Sequence, residues 1–196
     1  MDTEKISIGG SIEAIIARLY AQSEYSAGKG KLAKLRNSMG RADQTEAYPF
    51  LFEMIPEEFL GTTKTLSDEE RAMIWTLQFY ALLQQGRSDC VYRRSESYQN
   101  FGSSLSKLRT GEESEAVDRR FNAMILSDTA EEFQVHLRHM LRLFKSKAKT
   151  ETIDFARLAA DIYRFIHWED GKAQVRLSWS REYYKLNAKG EENHDK

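Results

Sequence analysis

The stretch TAEEFQVHLRHMLRLFKSKAK, residues 129–149, decides the fold. Phe133, Leu137, Met140, Leu141 and Phe144 recur at spacings of three and four, so they share one face of a helix and predict burial against a core. Thr129 followed three residues later by Glu132 has the pattern of a capping box, which sets where that helix begins. At about 100° per residue, Arg138, Arg142, Lys145 and Lys149 fall on a second face, roughly 125° round from the first. A polyanion could lie along that second face.

The same periodicity extends outward in both directions. Only two prolines, Pro49 and Pro56, occur in 196 residues, and both lie in one short interval, so the remainder is free to run as helices. Ser11 reads as the cap of a helix to about Gln22, with Ile12, Ile15, Ile16 and Leu19 on one side. Gly28 and Gly30 read as breakers before a short basic helix from Lys31 to Met39 that ends at Gly40. The following segment reads as a loop in which Tyr48, Phe50 and Phe52 pack locally. Ser67 and Glu70 form a second capping-box pattern, and the helix it opens is apolar nearly all round from Ala72 to Leu83, which marks a central buried element.

Gly86 to Asn100 is polar and reads as a link between an N-terminal lobe, about 1–90, and a C-terminal lobe, about 95–186. Further helices are predicted over Phe101 to Arg109, Ser114 to Leu126, Ala130 to Lys147, Ile153 to Trp168 and Lys172 to about Leu186. Residues 187–196 are charged enough to predict a disordered tail. The fold class is therefore all-α: a compact bundle of about eight helices in two small lobes, forming one domain over residues 1–190. No fixed-period repeat is present, which argues against a solenoid.

A formal net charge of −1 means that affinity for nucleic acid must come from a local patch. Cys90, the single cysteine, cannot form an internal disulfide and fits a reducing cytosol. No run of about eighteen apolar residues and no signal-peptide pattern occur, so a cytoplasmic protein without a membrane partner is expected.

Catalytic patterns are scarce. G-x-S-x-G, H-E-x-x-H, G-x-x-x-x-G-K-[ST] and G-x-G-x-x-G are all absent. Glu132, His136 and His139 could present a carboxylate and two imidazoles to a metal from one helix flank, but no second helix offers a matching cluster. The competing reading makes both histidines half-exposed neighbours of the basic face; no metal or cofactor is expected. His167 beside Trp168 reads as a packed residue, and the aromatic group Trp168, Trp179, Tyr183 and Tyr184, with Trp179 and Tyr183 four apart and Leu177 and Leu186 close by, reads as core more than as base-stacking platforms.

Backbone electrostatics remain as the mechanism. A helical Arg with Asp or Glu three or four residues away has a structural partner, as Arg119 has in Glu115 and as Asp154, Arg157, Asp161 and Arg164 have in one another. The same test leaves Lys31, Lys34, Arg36, Arg41, Lys107, Arg120, Arg138, Arg142 and Lys145 without local partners. Such cations contact phosphate without reading sequence. Neither a helix-turn-helix nor a zinc-finger pattern is evident, which disfavours a free-standing helical DNA-binding regulator, the main alternative.

The order LAKLRNSMGR, AYPFLFEMIP, GSSLSKLR, DRRFNAMILSD, HLRHMLRLFKS and LSWSREYY, over about residues 11–185, resembles the CasB family, the small subunit of the type I-E CRISPR surveillance complex Cascade. The resemblance implies a non-enzymatic, two-lobed helical protein in an antiviral, RNA-guided complex. It implies as partners the backbone and large Cascade subunits, a second copy of the chain, the CRISPR RNA, and the target and non-target DNA strands of the R-loop. The family's basic positions fall on Arg36, Lys107, Arg119, Arg120, Arg138 and Arg142; Arg41 and Lys145 match less closely, and Arg93 and Arg94 stand where the family carries basic residues. The acidic segment from Glu112 to Asp118 has no counterpart in that pattern.

Overall fold

The computed structural model describes residues 6–40, 47–95 and 99–185; Arg41 and the tail lie outside them. Among the described residues the chain is all-helical, with nine α-helices and two 3₁₀ turns, Glu57–Phe59 and Gly111–Glu113. The helices are α1 (Ile8–Ala21), α2 (Ser26–Ser38), α3 (Tyr48–Met54), α4 (Asp68–Gln84), α5 (Phe101–Ser106), α6 (Ser114–Ile125), α7 (Ala130–Lys147), α8 (Phe155–His167) and α9 (Glu169–Lys185). They form two compact units, one of residues 1–92 with Phe155–Tyr163, the other of residues 93–154 with residues from Arg164 onward.

In the first unit α4 is central, buried on nearly every side and flanked by α1 and α2. Both parts of the Ser67 capping box are made: the Glu70 amide donates to Ser67 Oγ at 3.1 Å, and the Ser67 amide to Glu70 Oε2 at 2.7 Å. Ile12, Ile15, Ile16 and Leu19 of α1 are buried as their spacing predicts, and Tyr80 of α4 meets Phe155 of α8 edge to face.

Several boundaries differ from the sequence reading: α5 ends at Ser106 and α9 begins at Glu169, each three residues before the expected position, and three differences are larger. Ser7, not Ser11, caps α1, accepting from the Gly10 amide at 3.1 Å, while Ser11 is buried inside the helix. Gly28 and Gly30 lie within α2 and do not break it. A Cβ at Gly28 would stand 1.9 Å from the Gln22 carbonyl oxygen, so this glycine is needed for close backbone approach. The proline-containing segment holds α3, with Pro49 in its first turn, although Tyr48 and Phe52 do pack locally at 5.3 Å.

In the second unit α7 lays its predicted apolar face inward: Phe133, Leu137, Met140, Leu141 and Phe144 are all buried. Phe133 stacks on Phe165 and Phe121 on Tyr183, with centroids 3.8 and 3.7 Å apart. Of the four aromatics expected in the core, Trp179 and Tyr183 are fully enclosed, whereas Trp168 and Tyr184 are exposed because they lie off the buried face; Leu177 and His167 are exposed too and do not help close the core. α6 packs along α7, and α5 along α9.

Candidate nucleic-acid interface

The packing of α6 on α7 creates a groove of about 640 Å³. α6 contributes Ala116, Arg119, Arg120 and Ala123, which at spacings of three, four and seven share one face; α7 contributes His136, His139 and Arg142 from successive turns. The alanines leave the space, and the wall is three guanidiniums and two imidazoles with no lining carboxylate. Arg120 and Arg142 are exposed, and neither makes an ion pair among the described residues. Arg119 is already engaged by Glu115 at 2.9 Å.

Partial burial pushes the His139 imidazole below its ordinary value, and the charges of Arg138, His136, Arg142 and Arg120 push it the same way. Glu132 does not join the two histidines as a ligand set: its carboxylate caps α7, accepting from the Asp128 and Thr129 amides at 3.2 and 3.4 Å. Among the described residues no group of three or more His, Cys, Asp or Glu side chains could hold a metal. His136 and His139 line the groove beside the arginines, which is the position the second reading gave them.

The remaining candidates are dispersed. Arg138 is half-buried with an enclosed Nε that lacks a hydrogen-bond partner, and it does not line the groove. Of the basic face expected along α7, Arg142 alone reaches the groove, because α6 packs to one side of that face. Lys145 has a partner and does not belong with the unpaired cations. Lys107 does not belong there either: it is bound to Glu151, which lies 44 residues away and beyond any local spacing test.

Lys107 shares a second groove, of about 450 Å³, with exposed Arg93 and Arg94, Ser103 and Ser104, and the carboxylate of Asp154. That carboxylate accepts from the Ser95 amide at 3.0 Å. Arg36 belongs to the first unit, where burial lowers its guanidinium from the ordinary value. Arg41 lies outside the described residues.

The acidic segment now has a structural account. Glu113 binds Lys147, Glu115 binds Arg119, and Asp118 takes Arg109 through two hydrogen bonds of 2.6 and 3.0 Å. These carboxylates engage the cations on either side and leave Arg120 and Arg142 free. The sequence signal for the groove was present in Ala116 and Ala123, one heptad apart and bracketing Arg119 and Arg120, but it needed the pairing of α6 with α7 to acquire meaning.

The family model for CRISPR-associated protein Cse2 matches residues 31–184. The chain belongs to the Cse2 family. Cse2, also called CasB, is the non-catalytic small subunit of Cascade, so the resemblance in the ordered motifs is confirmed at the level of family. Among solved structures, the crystal structure of CasB from Thermobifida fusca matches with a TM-score of 0.73 and 21% identity, covering 90% of this chain and 97% of that one. At that identity the likeness establishes the shared fold. No curated protein matches the chain.

Proposed function

We propose that this Cse2-family chain stabilises the R-loop of a type I-E Cascade complex by holding nucleic-acid backbone in the α6–α7 groove. The carrying observation is the composition of that groove: Arg119, Arg120, Arg142, His136 and His139 with no lining carboxylate. Exposed guanidiniums bind phosphate regardless of base, which suits a complex whose guide RNA already reads the sequence. Exchange of a DNA duplex for a guide–target heteroduplex is nearly balanced, so a few contacts to the target or displaced strand tip it toward opening. Arg93, Arg94, Arg138, Lys145, Arg36 and Arg41 are secondary contacts in this reading, with Lys107 available once Glu151 is displaced. Backbone and large subunits, a second copy of the chain and the CRISPR RNA complete the assembly, in the cytoplasm.

The test is the double variant Arg120→Glu/Arg142→Glu, assembled into the complex with its guide. Assembly and helical circular dichroism are expected to persist while opening of a matched duplex, read by permanganate reactivity of the displaced strand, falls. Unchanged opening would remove the groove from the reading.

A further inference from the structure

We propose that His136 and His139 are phosphate-binding residues of the α6–α7 groove, closing with Arg120 and Arg142 on a backbone phosphate, and that His139 takes a proton from solvent as the phosphate arrives. This rests on the nucleic-acid reading above and assigns residues within it.

The arrangement explains why imidazoles, not further guanidiniums, occupy these places. Arg119 and Arg120 share the groove with His139 from α6, His136 and Arg142 share it from α7, and Arg138, the preceding residue, adds its charge from outside the groove. Among the described residues the one carboxylate bound to any of these is Glu115, on Arg119. More permanent charges in this space would repel one another whenever the groove is empty. The His139 imidazole, whose neutral form those charges favour, lessens that cost in the free chain and charges when an anion enters.

The geometry suits two separate donors. The rings of His136 and His139 lie 6.4 Å apart at 84°, too far and too steeply inclined to stack, so each can present its own N–H to phosphate oxygen. A phosphodiester in the groove cancels the repulsion from Arg120, Arg138 and Arg142 and accepts a hydrogen bond from the imidazolium. Both effects favour the charged ring. By linkage, binding then consumes a proton, and affinity rises as pH falls.

The experiment uses the full chain and a short oligothymidylate at constant ionic strength, with affinity measured from about pH 8 to about pH 6. Wild type is expected to bind about three- to tenfold tighter at the acid end, consistent with uptake of up to one proton. His136→Gln/His139→Gln should flatten that profile while retaining helical circular dichroism. The His139 ring resonance should titrate about one pH unit higher with oligonucleotide present, an outcome read in wild type and independent of how the variant folds. Binding that is weakened by Arg142→Gln but has the same pH profile in wild type and the double histidine variant, with an unmoved His139 titration, overturns the histidine assignment and leaves the nucleic-acid reading standing. Absence of oligonucleotide binding by wild type across the range overturns both.

Discussion

Arg109 anchors the α6 wall of the groove from behind. Its side chain is 10% exposed, grips Asp118 through two hydrogen bonds and lies 5.1 and 4.8 Å from the ring centroids of Tyr183 and Tyr184. The Tyr183 hydroxyl donates to Asp118 Oδ1 at 2.7 Å, the oxygen that also accepts from Arg109 Nε. Arg109→Ala removes two charge-assisted bonds and leaves a partly buried carboxylate with one donor, so a loss of about 2–3 kcal/mol is expected in urea unfolding. Burial pushes the Asp118 carboxyl up, but Arg109 and Tyr183 outweigh it and hold it below the ordinary 3.8. The stability from this depressed carboxyl is present above that ordinary value and is lost as pH falls through the lower folded one. Asp118→Asn should therefore flatten this part of the acid limb of thermal stability; an unchanged limb would show that other carboxylates set it. Spacing within a helix made the Arg119 and Glu115 pair legible, whereas the bonds of Arg109 to Asp118 and Lys107 to Glu151 join different elements and have no local signature.

Between helices, two glycines of similar appearance in sequence have opposite roles. A Cβ at Gly102 in α5 would stand 2.1 Å from the Trp179 carbonyl oxygen of α9, a backbone atom that no rotamer change can move aside. Alanine there gains about 1 kcal/mol of helix propensity and meets an overpacking cost of about 1–3 kcal/mol. A backbone collision puts Gly102→Ala on the destabilising side, measurable as a lower urea midpoint. Gly30, inside α2, has nothing within 4 Å of such a Cβ, so Gly30→Ala is expected to stabilise by about 0.5–1 kcal/mol in the same assay. At the groove, Ala123→Glu places a carboxylate between α6 and α7 on an exposed position; it should weaken oligonucleotide binding with little change in unfolding midpoint. The helices themselves were legible because their capping boxes and apolar periods are local; the closest approaches of their backbones were not.

For the molecule as a whole, a formal net charge of −1 leaves little long-range attraction for nucleic acid, so binding depends on a few short-range phosphate contacts. With two or three such contacts, log affinity of the isolated chain should fall with log salt at a slope of about −1.4 to −2.1, using about −0.7 per phosphate of a single strand. A much steeper slope in titrations of oligothymidylate would mean that the dispersed cations, Arg93 and Arg94 among them, bind as one surface with the groove. The sequence by itself determined the helical class, the buried face of α7 and the two capping boxes, because each depends on residues within a few positions of one another, and it carried the order of short motifs that resembles the Cse2 family. Tertiary structure alone decided which cations remain free. Glu151 reaches Lys107 across 44 residues, Glu113 reaches Lys147 from the 3₁₀ turn before α6, and Arg142 shares a groove with Arg120 because α6 packs on α7 with Ala116 and Ala123 between them. Charge pairing is a matter of distance in space, and a linear chain records only distance along itself.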